Sequence, residues 1–420
     1  MKILNISTYD TGGAGIAAIR YHELLLKNGF DSSILFLERK KYVGKNVYVY
    51  EKQNQASFEE PTLTLTNYLL ERFFSYFSKK RKLFFEKKKN DNAFRDKIAL
   101  DAMTEFECFS SPKTAYDVMS TQAYQDSDII HLHFVSDFLD YPSFFGLNKK
   151  PVFWSLHDEN LMLGAFHFEL DKIKNQAKYK EIDDNYFDIK LNALTNSGSK
   201  ITLLSGFNWL IEKIKSSKMP LSIDVERFYY PVNEKLYHYI DKQKAKELLN
   251  LPIDKKIFLF TAGNINNKRK GFDLLIPVLE DDRFKDAIFL IMGLSTREIQ
   301  IDNVIQLGQI SDELLMPIIY GAADYYILPS RAEGFSYAMS EALCCGTPVI
   351  AFDVADHMDF IHKNKLGIVL PEINSDELKK CVEKILLGKY VFDNRMISEV
   401  ALSYLNSEKV SKEFISFYTK

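Results

Sequence analysis

The chain has 420 residues, 46% of them hydrophobic and 26% charged, with a formal net charge of −3 at pH 7. That length exceeds one ordinary core and predicts two domains. The composition is that of a globular protein in water, and the slightly acidic balance argues against a nucleic-acid binder. Four cysteines, Cys108, Cys344, Cys345 and Cys381, form no Cys-x-x-Cys pair, so reduced thiols are expected and a zinc centre is not. The opening MKILNISTYDTGGAG lacks a signal peptide's apolar run, and no stretch reaches the length of a membrane span, so a cytoplasmic location is expected.

KILNIS reads as a short buried strand, followed by the glycine-rich turn Asp10–Gly15 and a helical pattern ending at Gly29. SSILFL is a second strand, and strand, glycine loop, helix, strand is the opening of a parallel α/β sheet. Strand-like runs recur at 128–134, 151–156 and 200–205. After a Lys-rich segment near 235–250 a second alternating series begins with KKIFLFTAG at 255–263. The expected fold class is α/β with two Rossmann-like domains facing a central cleft, 1–237 and 238–402. A final helix at about 403–420 packs back on the first.

Residues 67–90, NYLLERFFSYFSKKRKLFFEKKKN, break the alternation with eight Lys/Arg, two Glu and seven aromatics. Such a segment suits an anionic membrane interface, giving possible peripheral contact; a surface helix packing its Phe residues on the core fits equally.

The stretch RAEGFSYAMSEALCCGTPVIAF places Glu333 and Glu341 in a run of small and apolar residues. The spacing predicts a strand end at Tyr325–Pro329, a loop over 330–334 and a helix from about Ser336 to Cys345, closed by Gly346 and Pro348. In open α/β sheets ligands sit beyond the carboxyl ends of strands, which puts Glu333 at a cleft. A carboxylate inside the helix needs a partner, because burying it alone costs several kcal/mol. A backbone amide or an arginine would serve, and so would the hydroxyls of a sugar.

These residues resemble the Glu-x7-Glu signature of retaining GT-B glycosyltransferases, family 4, and FSSPKTAYDV and HLHF are similar to the exopolysaccharide and capsule branch. The likeness also takes in the early Gly-Gly loop, WSLHDEN, LLSGFNWLIEKIKSS and FTAGNINNKRKGFDLL, in the same order. It implies transfer of a hexosyl group from a nucleotide sugar to a saccharide acceptor, lipid-linked or soluble, with retention at the anomeric carbon. Glu341 would hold the ribose, Glu333 the donor sugar and Lys270 the leaving diphosphate, while His157 would touch the sugar. Gly334 and Phe335 would offer amides to the donor, with Ser336, Arg269, Gly263 and Asn264 around it. Gly12, Gly13, His133 and Asp158 would serve the acceptor and phosphate side. No cofactor and no metal are implied, and no nucleic acid.

The chain departs from the family at three places. Gly263-Asn264-Ile265 stands where Gly-Arg-Leu is usual, so Arg269 or Lys268 would have to replace the missing arginine. Ala355-Asp356 and Gly164-Ala165 each stand for a Gly-Gly pair. Two further residues are open to more than one reading. His131 and His133 share a strand face but lack further metal ligands, and His133 either lines the cleft or packs in the core. Gly-Gly-Ala-Gly also fits part of a dinucleotide fingerprint, although Ala18 stands at its third glycine, and no P-loop motif occurs. An epimerase on the same fold, or a non-catalytic partner protein, remains the alternative reading.

Overall fold

A computed structural model describes residues 1–51, 108–220, 222–296, 298–310 and 312–418. The basic aromatic segment 67–90 lies outside them. Among the described residues no helix is long and apolar enough to cross a membrane.

The first half runs β1 (Lys2–Tyr9), α1 (Gly12–Lys27), β2 (Asp31–Glu38), β3 (Val47–Val49), β4 (Ile129–Leu132), α2 (Tyr141–Leu147), β5 (Val152–Ser155), α3 (Glu169–Thr195), β6 (Ile201–Ser205), α4 (Asn208–Ser216) and β7 (Asp224–Arg227). The second runs α5 (Lys242–Leu248), β8 (Ile257–Asn264), α6 (Phe272–Leu279), β9 (Ile288–Leu294), β10 (Val304–Gly308), α7 (Met316–Ala322), β11 (Tyr325–Leu328), α8 (Tyr337–Cys344), β12 (Val349–Phe352), β13 (Gly367–Leu370) and α9 (Ser375–Leu386). It closes with α10 (Asn394–Leu405) and α11 (Ser407–Tyr418).

The strands form two parallel sheets, ordered β3-β2-β1-β4-β5-β6-β7 and β10-β9-β8-β11-β12-β13. Both reverse direction beside their first strand, the switch point at which Rossmann-type sheets bind ligands. Helices cover both faces, so the central strands carry continuous buried runs: every residue of β4, β5, β6, β11 and β12 is buried.

The chain passes between the halves twice, side by side. Val232 bridges Asn406 and its amide donates to Leu405 O at 2.9 Å. The helical pattern at the end reads as one element in sequence, but Asn406 divides it into α10 and α11. Then α11 returns to the first half, where Val410, Phe414 and Tyr418 join Tyr21, Phe228 and Tyr230 in one apolar cluster.

Candidate active site

The carboxyl ends of both sheets face each other, and the loops beyond them touch at several points. Glu333 follows β11 and is 4% exposed. Its Oε1 accepts from Lys270 Nζ at 2.7 Å and from Ser330 Oγ at 2.6 Å. Its Oε2 lies 3.5 Å from Arg269 Nη1. Burial pushes this carboxyl up, but Lys270 and Arg269 outweigh it and hold it down at about 2. Glu333 is therefore ionised at every physiological pH, an acceptor and not a proton donor.

Lys270 owes its position to Gly271, which caps α6 in a left-handed conformation (φ 72°). A Cβ there would meet Pro329 O at 1.8 Å, so the 268–271 turn lies flat on the β11 loop and only glycine fits. Arg331 locks the two loops: its amide donates to Arg269 O at 2.8 Å and its guanidinium forks onto Asp273 with two contacts of 2.7 Å. Arg269 donates to Ala332 O at 2.8 Å and stacks 4.3 Å over Phe168 of the first half. Lys268 is exposed, and its carbonyl accepts from Arg331 at 2.6 Å. Gly263 and Asn264, at the end of β8, are exposed, and Asn264 Oδ1 accepts from Asn266 N at 2.9 Å.

Ser336 is the N-cap of α8, its Oγ accepting from Met339 N at 3.3 Å. The helix spans Tyr337–Cys344 and ends on Gly346 at φ 90°. Phe335 is a wedge as well as a backbone position: its ring lies 5.5 Å from Phe207 and 4.6 Å from Tyr230, both of the first half. Glu341 is buried inside α8. Its Oε1 accepts from Arg20 Nη2 of α1 at 2.6 Å and its Oε2 from Tyr320 OH at 3.2 Å.

From the first half, His157 follows β5 and stacks on His133, Nε2 lying 3.4 Å from His133 Nδ1. His133 in turn packs 4.1 Å from His131. Burial drives all three imidazoles toward the neutral form, His157 down to about 4 and the other two also well below the ordinary histidine range. His133 is 2% exposed and still lines a small recess with Ser136, Tyr141, Trp154, His157 and Asp158. Among the described residues no group of three or more His, Cys, Asp or Glu side chains is placed to hold a metal.

Asp158 pairs with His167 Nδ1 at 2.6 Å. Burial opposes the charge on His167, but Cys108 and Asp158 raise it to about 10. This pair ties down the loop that carries His157. Beneath the loop, fully buried Lys190 donates to Asn160 O at 2.7 Å and to Leu163 O at 3.2 Å. Gly164 lies on Asp183, whose carbonyl a Cβ would meet at 1.6 Å.

In the glycine loop, Gly12 adopts φ 74° and Gly13 is exposed. Steric demand falls on Gly15, where a Cβ would lie 2.6 Å from Tyr9 O. Thr11, the N-cap of α1, makes no side-chain capping bond, and Asp10 before it accepts from the amides of Lys40, Lys41 and Tyr42. Asp356, beyond β12, caps α4 of the other half instead, accepting from Asn208 N and, at 3.0 Å, from Trp209 N.

The structure thus brings Glu333, Lys270, Arg269, Gly334 and His157 together, and places Glu341 with Arg20 further along the cleft. Arg20, Ser330, Arg331 and Asp356 carry no local signal of their roles, since each meets a partner supplied by folding.

Solved structures superpose on the chain over its full length. The fold is GT-B. Sucrose-phosphate synthase from Thermosynechococcus elongatus superposes with a TM-score of 0.65 at 17% identity, covering 100% of this chain and 98% of that one. Anabaena HepE, in complex with UDP and glucose, gives 0.65 at 12% identity over 100% of both chains. Residues 241–401 match the family described as glycosyl transferases group 1. A D-inositol 3-phosphate glycosyltransferase of Xylanimonas cellulosilytica is 30% identical over 145 residues, 32% of this chain and 34% of that protein. An uncharacterised 41.2 kDa protein in the cps region of Klebsiella pneumoniae is 30% identical over 132 residues, 30% of this chain and 36% of its own length. The chain matches well under half the length of these curated relatives.

Proposed function

We propose that this protein is a retaining glycosyltransferase of the family 4 type, moving a hexosyl group from a nucleotide sugar to a saccharide hydroxyl in cell-surface polysaccharide synthesis. The observation that carries the reading is the Lys270–Glu333 pair, set with Ser330 at the foot of β8 and β11, directly across the cleft from His157. Matches to group 1 glycosyltransferases and to a neighbour holding UDP and glucose support it.

In this reading the second domain holds the donor and the first the acceptor. Lys270 meets the diphosphate as the bond to the anomeric carbon breaks, a fixed cation stabilising a departing oxyanion in a cleft that excludes water. The uncapped first turn of α1 favours the same negative charge. Glu333, ionised, accepts from donor-sugar hydroxyls, and neutral His157 exchanges hydrogen bonds with the sugar without adding charge. Glu341 accepts from the ribose. The leaving phosphate is the base nearest the incoming hydroxyl, so no protein nucleophile is required.

Thermal unfolding with UDP, GDP, ADP and TDP tests the donor side, since a ligand at a hundred times its Kd adds about 2.7 kcal/mol. One nucleotide should stand out; none shifting the transition would remove the reading. Anomeric proton couplings of the product, followed by NMR, then decide retention.

A further inference from the structure

Glu341 and Arg20 belong to different domains, 321 positions apart, yet their side chains are only 10% and 12% exposed and meet at 2.6 Å. The guanidinium also reaches Glu313 Oε1 at 3.2 Å and lies 4.5 Å over the Tyr337 ring. Its other terminal nitrogen, Nη1, is buried and has no hydrogen-bond acceptor among the described residues. A buried donor without a partner is costly, so a ligand oxygen arriving there is favoured.

The carboxylate is not used up by this contact. Its two oxygens offer about four acceptor positions, and Arg20 and Tyr320 take one on each oxygen. A diol can therefore bind Glu341 while Arg20 stays in place.

Resting on the reading of Glu341 as the nucleotide-side carboxylate, we propose that Arg20 is the first domain's contribution to the nucleotide seat. It fixes the Glu341 carboxyl for a ligand's hydroxyls through a charge-assisted hydrogen bond, and it presents its remaining N–H to the same ligand. Nucleotide binding and contact between the domains are coupled through this one side chain. Arg269 does not take that part, because its guanidinium is committed to Ala332 O and Phe168.

The surroundings of Glu341 leave the charge to Arg20. Tyr320 of α7, Tyr326 of β11 and Tyr237 of the inter-domain connection face it, as do Cys344 and Cys345 from its own helix. Glu313, ahead of α7, adds negative charge, and Tyr337 lies against Arg20. Burial raises the Glu341 carboxyl above its ordinary range, and Arg20 opposes that rise without cancelling it. Without the arginine the carboxyl takes up a proton at a higher pH and stops accepting.

The test is calorimetric titration of the full-length protein with UDP, GDP, ADP and TDP at pH 8 and pH 6. For the nucleotide that binds the wild type, Arg20→Met should weaken affinity at least tenfold at pH 8, with a wider gap at pH 6. Arg20→Lys should stay weaker than wild type but recover the wild-type pH dependence. A folded Arg20→Met protein with wild-type affinity at both pH values overturns the proposal, as does an equal loss in both variants with no pH component. Should the Met variant not fold, Arg20→Lys decides alone: wild-type affinity overturns the proposal, weaker binding with an unchanged pH slope supports it. A wild type that binds none of the four nucleotides overturns the glycosyltransferase reading itself and the Arg20 role with it.

Discussion

Gly334 and His157 meet backbone to backbone across the cleft: a Cβ on Gly334 would lie 2.0 Å from the His157 carbonyl oxygen. One residue follows Glu333, and the other is the histidine opposite it. This contact sets how closely the domains approach, and a side chain there must separate them.

Gly334→Ala is therefore expected to lower kcat by about a hundredfold, the usual cost of misplacing reacting groups by about 1 Å. Nucleotide affinity, which the proposed function assigns to Glu341, should change less. Steady-state kinetics beside calorimetry checks the split; equal losses in both would contradict it.

Lys270→Met should cost about 10²–10³-fold in kcat through loss of the cation at the leaving group. It also leaves Glu333 with Arg269 and Ser330 as partners, so its carboxyl rises from about 2. The wild-type Glu333 contribution to stability is present above the ordinary carboxyl range and lost as pH falls toward 2; in the variant that loss begins at higher pH. Acid titration followed by circular dichroism reads this difference.

The stacked histidines give a second pH dependence, of known sign. His131, His133 and His157 have folded-state pKa values depressed by burial, so their stabilisation is present above about 6.5 and is lost as pH falls below that, for His157 toward about 4. His167 acts oppositely, its contribution being complete below about 6.5 and lost as pH rises through about 10. Stability should fall between pH 6.5 and 5, by up to about 1.4 kcal/mol per pH unit for each depressed histidine, and the melting temperature with it. His157→Gln should flatten that slope measurably, which a series of melts would show.

Asp356 and Ala355 make a contrasting pair. Asp356 caps α4 from the other domain, so Asp356→Ala should cost about 1 kcal/mol and loosen the coupling between the domains in calorimetric unfolding. Ala355 stands at φ 53°, where a side chain costs about 1–2 kcal/mol. Ala355→Gly is expected to be neutral or stabilising in the same measurement.

What the sequence discloses here is local. The strand, loop and helix around the two glutamates, with Ser336 at one end and Gly346 at the other, are legible because caps and hydrophobic period act within a few residues. His131 and His133 share a face for the same reason, a period of two. The fold class follows from the alternation of apolar runs, and the cleft from the rule for strand ends.

Arg20 was illegible: it sits on an ordinary amphipathic helix, and its partner is 321 residues away. Asp356 read only as a departure from Gly-Gly, though the exchange supplies a cap 148 residues distant. The loop glycines Gly12 and Gly13 drew notice, while the position with no room for a side chain is Gly15, a crowding seen only once β1 and α1 are packed. The break at Asn406 was hidden because both flanking segments are good helix formers, and the interruption comes from Val232 pairing across the connection.

The return of α11 has a consequence for how the molecule is made. Tyr418 OH lies 2.9 Å from His131 Nδ1, and Phe414 packs 4.7 Å from Tyr21. β1 and the histidines beneath the cleft are roofed by residues that leave the ribosome after the strands of the second half. Synthesis therefore completes the first half only after the second. Until then a nascent chain carries an unroofed core, and a truncation or stall ahead of α11 yields a protein whose second sheet is whole and whose histidine side stands open to water.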